Sequence, residues 1–274
     1  MRRLQIILLV LVWAVSCFAQ ESDSVFVERL LHEAETASTE WFARQFLGRP
    51  YVAHTLEVND MEQLVVNTRE LDCTTLVENV LALTLCKQHG QTTFAAFRNH
   101  LQQLRYRQGI IDGYPSRLHY FTDWINDNVS MGLVSDVQRS EAPFTSVQNI
   151  RANYMSTHPN AYKALKAHPE FVEIIARQEQ QLTGRKYRYI PKSQIKNTQM
   201  LRQTIKTGDV IAITCSKPGL EIAHLGVAVW QRDGLHLLNA SQIHKKVVLE
   251  PMTLRDYLYR HSSHTGIRVI RLNR

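Results

Sequence analysis

The stretch LDCTTLVENVLAL, residues 71–83, decides how the chain is read. Asp72 suits a helix N-cap, Cys73 falls at the helix start, and from Leu76 the run is almost wholly apolar. Leu76, Val77, Val80, Leu81, Leu83 and Leu85 wrap most of the helix, and His89-Gly90 ends it. A helix apolar nearly all round belongs in a protein interior. Two readings of Cys73 compete. Free cysteines are among the most buried residues, which makes it core filler. A helix N-terminus also lowers a thiol pKa through its unpaired N–H groups and positive dipole end, which makes Cys73 a nucleophile.

The flanking segments set the fold class. Residues 22–47 read as a helix rich in Glu, Ala and Leu that stops at Gly48, with GRPY as the turn out. TTFAAFRNHLQQLRYR, 92–107, puts Phe94, Phe97, Leu101 and Leu104 on one helix face. Residues 110–155 are less regular, and 158–184 return to helix. From 187 the pattern changes to short apolar or alternating runs: YRYIP, DVIAITC, IAHLGVAVW, LHLLNAS and KKVVLE, with Asp233-Gly234 among the turns. TLRDYLYRH is a brief helix and GIRVIRL a final strand. Helices followed by an antiparallel sheet make an α+β domain. No repeat, low-complexity segment or linker interrupts it, so residues 20–274 read as one domain.

The first nineteen residues differ from the rest. Arg2 and Arg3 precede LQIILLVLVWAV, and SCFA supplies a small-residue exit before Gln20. That is the anatomy of a secretory signal peptide, too short for a comfortable membrane span. Cleavage after Ala19 is expected; lipid attachment at Cys17 is the alternative, with Ala14 an imperfect lipobox residue. Without this segment the net charge falls from +7 to +5, because two arginines leave and no acid does. Mixed signs and the lack of a basic block argue against nucleic acid, and an exported protein makes a carboxylate-bearing cell-wall peptide a fitting partner. The mature chain keeps Cys73, Cys86 and Cys215, an odd number that leaves at least one thiol unpaired. On one helix Cys73 and Cys86 would stand roughly 20 Å apart, beyond disulfide reach.

G-x-S-x-G, H-E-x-x-H, P-loop and G-x-G-x-x-G motifs are absent from the sequence, as are C-x-x-C pairs. Of twelve histidines only His261 and His264 share a ligand-like spacing, in a polar RHSSHTG turn expected to be solvated. A nucleophilic cysteine needs a base. His224 interrupts the apolar strand IAHLGVAVW, on one face with Gly226 and Ala228, small residues that leave room for a helix to pack over the imidazole.

LDCTTLVENVLAL, GDVIAIT, AHLGVAV and LLNASQIHKKVV, in that order, together with GRPYVAHTLE and SRLHYFTDWI, resemble the N-acetylmuramoyl-L-alanine amidase-like family. That family belongs to the NlpC-type, papain-like superfamily of bacterial cell-wall cysteine hydrolases, and the likeness spans most of residues 45–272. It implies a papain-like α+β fold with Cys73 as nucleophile, His224 as base and Asn239 as the residue orienting it, where relatives often carry histidine. A turn centred on Asp233-Gly234 pairs Asn239 with Ala228, whereas pairing Asn239 with His224 centres the hairpin on Gln231-Arg232. A longer loop or a bulge reconciles the two. The Cys73 N–H would be one oxyanion donor. Tyr51, Asp72, Arg117, His119 and Tyr120 are the expected substrate contacts, and no metal or cofactor is called for. The function implied is exported, periplasmic or extracellular hydrolysis of the amide between (anhydro)muramic acid and L-Ala in peptidoglycan fragments, by a monomer. The alternatives are a γ-D-glutamyl–diamino acid endopeptidase and a non-catalytic cell-wall binding protein.

Overall fold

Two serines divide the first expected helix. Ser22 caps α1 (Asp23–Glu33) by accepting the Val25 N–H, and Ser38 caps α2 (Thr39–Arg44) by accepting the Trp41 N–H. The chain between them turns extended at Ala34, so 22–47 is two helices rather than one. A side-chain oxygen that satisfies free N–H groups starts a new helix more cheaply than it continues an old one. The computed structural model describes residues 21–274; the expected signal peptide and Cys17 lie outside the described residues.

α3 (Cys73–Gln88) is the apolar helix, and α4 (Phe94–Arg105) packs beside it. The region expected to be irregular holds α5 (Phe121–Ser130) and two short strands, β1 (Val134–Val137) and β2 (Ser146–Asn149). The stretch expected to be helical, 158–184, holds α7 (Lys163–Ala167) and α8 (Glu170–Leu182), with α6 (Tyr154–Thr157) ending just before it. The breaks fall at His158-Pro159 and His168-Pro169, because a residue before proline is pushed out of the helical region.

Then come β3 (Lys186–Pro191), α9 (Gln199–Thr204), β4 (Val210–Cys215), β5 (Ile222–Trp230), β6 (Leu235–Ser241), β7 (Lys246–Leu249), α10 (Leu254–Arg260) and β8 (His264–Leu272). The strands form an antiparallel sheet in the order β2-β3-β8-β4-β5-β6-β7, with β1 also pairing β8. Both faces are covered. Val210, Ala212, Leu225, Val227 and Leu238 join the core built by α1–α4, while Ile211, Ile213, Ala228 and Leu237 join a second core with Leu254 and Leu258 of α10. Burial on both sides explains why β4 reads as a continuous apolar run. The fold is thus α+β. Among the described residues no helix is long and apolar enough to cross a membrane.

Candidate active site

Cys73 begins α3 because Asp72 accepts the Thr75 N–H at 2.8 Å while Thr75 Oγ1 accepts the Asp72 N–H at 2.9 Å. This reciprocal cap fixes the helix start, and with it the cysteine. The loop leading in is also tied down. Val52 and Leu71 share a backbone hydrogen bond, and the buried Arg105 donates to Glu78 at 2.7 Å and to the Val65 carbonyl. Among the described residues Cys73 is the partly exposed member of three free thiols; Cys86 and Cys215 are buried.

Cys73 and His224 line one cavity of about 500 Å³. They do not meet as the strand alternation suggested. His224, Gly226 and Ala228 face α10, and α3 lies over the opposite face, against Leu225 and Val227. Gly226 makes no room for a helix. A Cβ there would stand 2.7 Å from Leu237 Cγ and from the Leu238 carbonyl, so the glycine permits the close passage of β6. Cys73 shares the cavity with His224 near the start of β5, and the Leu225 N–H is directed at its sulfur.

The hairpin register falls between the two expected. Ala228 pairs with Leu237 and Trp230 with Leu235, leaving residues 231–234 as a four-residue loop. A bulge at Ala223 displaces β5 against β4 just before His224. Asn239 is therefore diagonal to His224 rather than opposite it, and its Oδ1 accepts the His224 Nε2–H at 2.9 Å. The other ring nitrogen, Nδ1, is the one left to accept a proton. Asn239 is fully buried, and its Nδ2 donates to Glu250 Oε1 at 3.3 Å.

Electrostatics departs from the helix-dipole expectation. Burial, with the Asp72 charge, pushes the Cys73 thiol up to about 12, outweighing the Leu225, Thr74 and Cys73 hydrogen-bond donors that favour thiolate. Burial also lowers the His224 pKa, opposed by Asn239, Glu250 and Asp72. Both effects disfavour charge, so the pair rests as thiol and neutral imidazole. Around His224 stands an aromatic stack that the sequence did not signal: Tyr257 at 6.4 Å between ring centroids, with His261 and His264 packed on Tyr257. His264 is buried rather than solvated, since it opens β8, and burial lowers its pKa to about 4.

The other expected contacts divide. His119 and Tyr120 line the cavity. His119 is neutral there: its Nε2–H donates to the Tyr114 carbonyl and burial takes its pKa down to about 3, so it offers no cation to a carboxylate. The Tyr120 hydroxyl donates to Glu179 at 2.6 Å and accepts the Tyr154 and Met155 N–H groups, so its ring forms wall while its oxygen anchors α6 to α8. Arg117 is not a cleft residue. Its guanidinium is buried on Glu57 at 2.6 Å and Glu62 at 3.5 Å, over the Tyr114 ring, and that network holds the loop before Cys73. Asp72 is occupied with its cap. Tyr51 sits half-buried near Cys73 and Asp72, and burial first, with the Asp72 charge beside it, raises the pKa of its phenol. Tyr154, Tyr162 and Lys217 complete the cavity walls and had no sequence signal. Among the described residues no cluster of three or more His, Cys, Asp or Glu could hold a metal ion.

Fold and cleft define an α+β protein whose helix-borne thiol and strand-borne imidazole share one cavity. The chain belongs to the AmiA-like, N-acetylmuramoyl-L-alanine amidase-like family, which it matches over residues 41–267. It is similar to the crystal structure of an N-acetylmuramoyl-L-alanine amidase from Bacteroides uniformis ATCC 8492, at 42% identity and TM-score 0.80, over 86% of this chain and 98% of that one. A protein of Bacteroides fragilis described as a putative xylanase shows 44% identity and TM-score 0.79, over 85% and 99%. Protein LPG0564 of Legionella pneumophila str. Philadelphia 1 shares the fold at 22% identity and TM-score 0.69, over 91% and 94%. No curated protein matches the chain.

Proposed function

We propose that the protein is an exported cysteine amidohydrolase of the papain-like kind that cleaves the amide between (anhydro)muramic acid and L-Ala in peptidoglycan fragments. The observation that carries this reading is the 2.9 Å bond from His224 Nε2–H to Asn239 Oδ1, beside a cavity that also holds Cys73. That bond fixes a tautomer, and a fixed tautomer leaves Nδ1 basic. Because thiol and imidazole rest uncharged, proton transfer accompanies attack. His224 Nδ1 takes the Cys73 proton as the sulfur adds to the lactyl carbonyl, and the Cys73 N–H faces the oxyanion. The imidazolium then protonates the departing L-Ala amine and a thioester remains. Water, deprotonated by His224, releases the muramic acid and restores the thiol. Family membership and the Bacteroides uniformis amidase support this choice of bond.

The endopeptidase alternative uses the same steps at a γ-D-glutamyl bond. A glycosidase reading, raised by the relative described as a xylanase, fits the cavity poorly. Glycoside hydrolysis ordinarily uses two facing carboxylates. Here Glu221 is the one carboxylate lining the cavity among the described residues, and it accepts the Thr122 N–H at 3.0 Å. Mass spectrometry of defined anhydromuropeptides incubated with the protein tests the proposal. Free anhydromuramoyl sugar plus intact stem peptide is the expected product pair. Release of muramoyl-L-Ala-γ-D-Glu establishes the endopeptidase, and cleaved xylan with intact muropeptide establishes the glycosidase.

A further inference from the structure

An asparagine amide can present either end, since its oxygen and nitrogen exchange places by rotation about one bond. Nothing in Asn239 alone makes it show oxygen to His224. The decision lies one residue further back, at Glu250. This side chain is 1% exposed, and an ionised carboxylate only accepts hydrogen bonds. Its Oε1 faces the N–H end of Asn239 at 3.3 Å, beside the Leu237 carbonyl at 3.4 Å, and the oxygen end is left for His224 Nε2–H. Rotating the amide would set carbonyl oxygen against carboxylate oxygen and N–H against Nε2. The imidazole proton would then move to Nδ1, the nitrogen that has to be basic.

Glu250 is itself held on three sides. Its N–H donates to the Leu237 carbonyl at 2.9 Å, its carbonyl accepts from His236 Nδ1 at 2.8 Å, and its Oε2 meets His244 Nε2 at 3.3 Å. It follows directly on β7, in which Val248 pairs with Asn239, so the sheet register sets the contact. We propose that Glu250 is a positioning residue that acts through Asn239, locking the amide and thereby the His224 tautomer. The inference rests on the reading of Cys73 and His224 as a catalytic pair, but its first test does not need turnover.

That test is the tautomer of His224 in the free protein, read from imidazole ¹⁵N shifts and assigned with His224→Gln. The wild type is expected as Nε2–H. Glu250→Leu removes the charged acceptor, leaves the amide N–H end only the Leu237 carbonyl at 3.4 Å, and is expected to give a mixture with Nδ1–H; a pure Nε2–H form in a folded Glu250→Leu protein overturns the proposal. If that variant does not fold, near-isosteric Glu250→Gln decides instead. It removes a negative charge from a base that also faces Asp72, His261, Tyr257 and Cys73, so the titration of His224 should move to lower pH, and an unmoved titration overturns the proposal. Turnover supplies the second arm. Loss of a histidine's orienting partner at metal centres costs ~10–100-fold, and a similar fall in kcat with little change in KM is expected for Glu250→Leu. On an Asn239→Ala background the same change should cost nothing more, because its path is already cut. Full additive loss would make Glu250 merely structural. Unaltered turnover by His224→Ala, with the tautomer effect intact, would instead sink the catalytic reading and leave the positioning result standing.

Discussion

Cys73 and His224 line one cavity as two uncharged groups, and this sets what each substitution should do. Cys73→Ala is expected to abolish hydrolysis, while Cys86→Ala and Cys215→Ala keep most of it, because those thiols are buried in the core and on the Leu220 carbonyl. Turnover assays on the purified variants check this, and an active Cys73→Ala would end the thiol mechanism. The pH profile has a definite sign. The base must be neutral, and burial first of all holds His224 below the ordinary imidazole range. The acidic limb of kcat/KM, which reports the free enzyme, should therefore lie below pH ~6.5. A limb at or above neutral pH would show that burial does not hold the His224 imidazole below its ordinary range. Cys73 and His224 stand out from their surroundings in the sequence, a thiol at a helix start and a polar residue in an apolar strand, whereas Asn239 came forward only through the family resemblance. Glu250, Tyr257 and His264 were not legible, since their approach to His224 depends on the pairing of β6 with β7 and on how α10 and β8 pack. Arg117 misled for the same reason. A basic residue in a polar motif carries no sign that Glu57 and Glu62 have already taken its charge.

At the scale of elements, the C-terminal strands and α3 were readable because their hydrophobic patterns are strong and their ends are marked by turn residues or caps. The expected 22–47 and 158–184 helices each overran a local stop signal inside them, at Ser38 and at His168-Pro169. The hairpin register was open because turn residues at Asp233-Gly234 are equally consistent with a two-residue turn and with the four-residue loop found. What closes the question is Gly226. Because a Cβ at this position would stand 2.7 Å from Leu237 Cγ and from the Leu238 carbonyl, only a residue lacking Cβ lets β5 and β6 run as closely as the diagonal contact from His224 to Asn239 requires. Gly226→Ala must push β6 away or distort β5. Overpacking of this kind costs about 1–3 kcal/mol, which thermal unfolding would register. Activity should fall further than stability accounts for, because Asn239 moves with β6. A variant that loses stability but retains wild-type kcat would show that the diagonal contact is dispensable.

For the whole molecule, the cavity lies where four parts of the chain converge, one of them the β4–β5 loop with Lys217 and Glu221. α3 supplies Cys73, β5 supplies His224, and the segment between α4 and β3 supplies a wall of His119, Tyr120, Phe121, Tyr154 and Tyr162. That wall comes from the stretch whose sequence was least regular, and its assembly depends on contacts such as the Glu179 carboxylate gathering Tyr120 with the Met155 and Ser156 N–H groups. The thiol and imidazole do not distinguish one amide from another; the wall must. Flat aromatic faces suit a ring with an apolar side, as a sugar has, better than an extended, charged peptide. Binding energy from a part of the substrate remote from the reacting bond is also used in the transition state, so a truncated substrate loses kcat and not only affinity. Muramoyl-peptides should therefore be cleaved, while the same stem peptides without sugar should show little reaction even at high concentration. Tyr154→Ala and Tyr162→Ala should narrow that gap by slowing the sugar-bearing substrate alone. Kinetics on matched pairs of muropeptide and free peptide measure both effects. Equal kcat for the two members of a pair would take the sugar out of recognition and move the cleaved bond into the peptide.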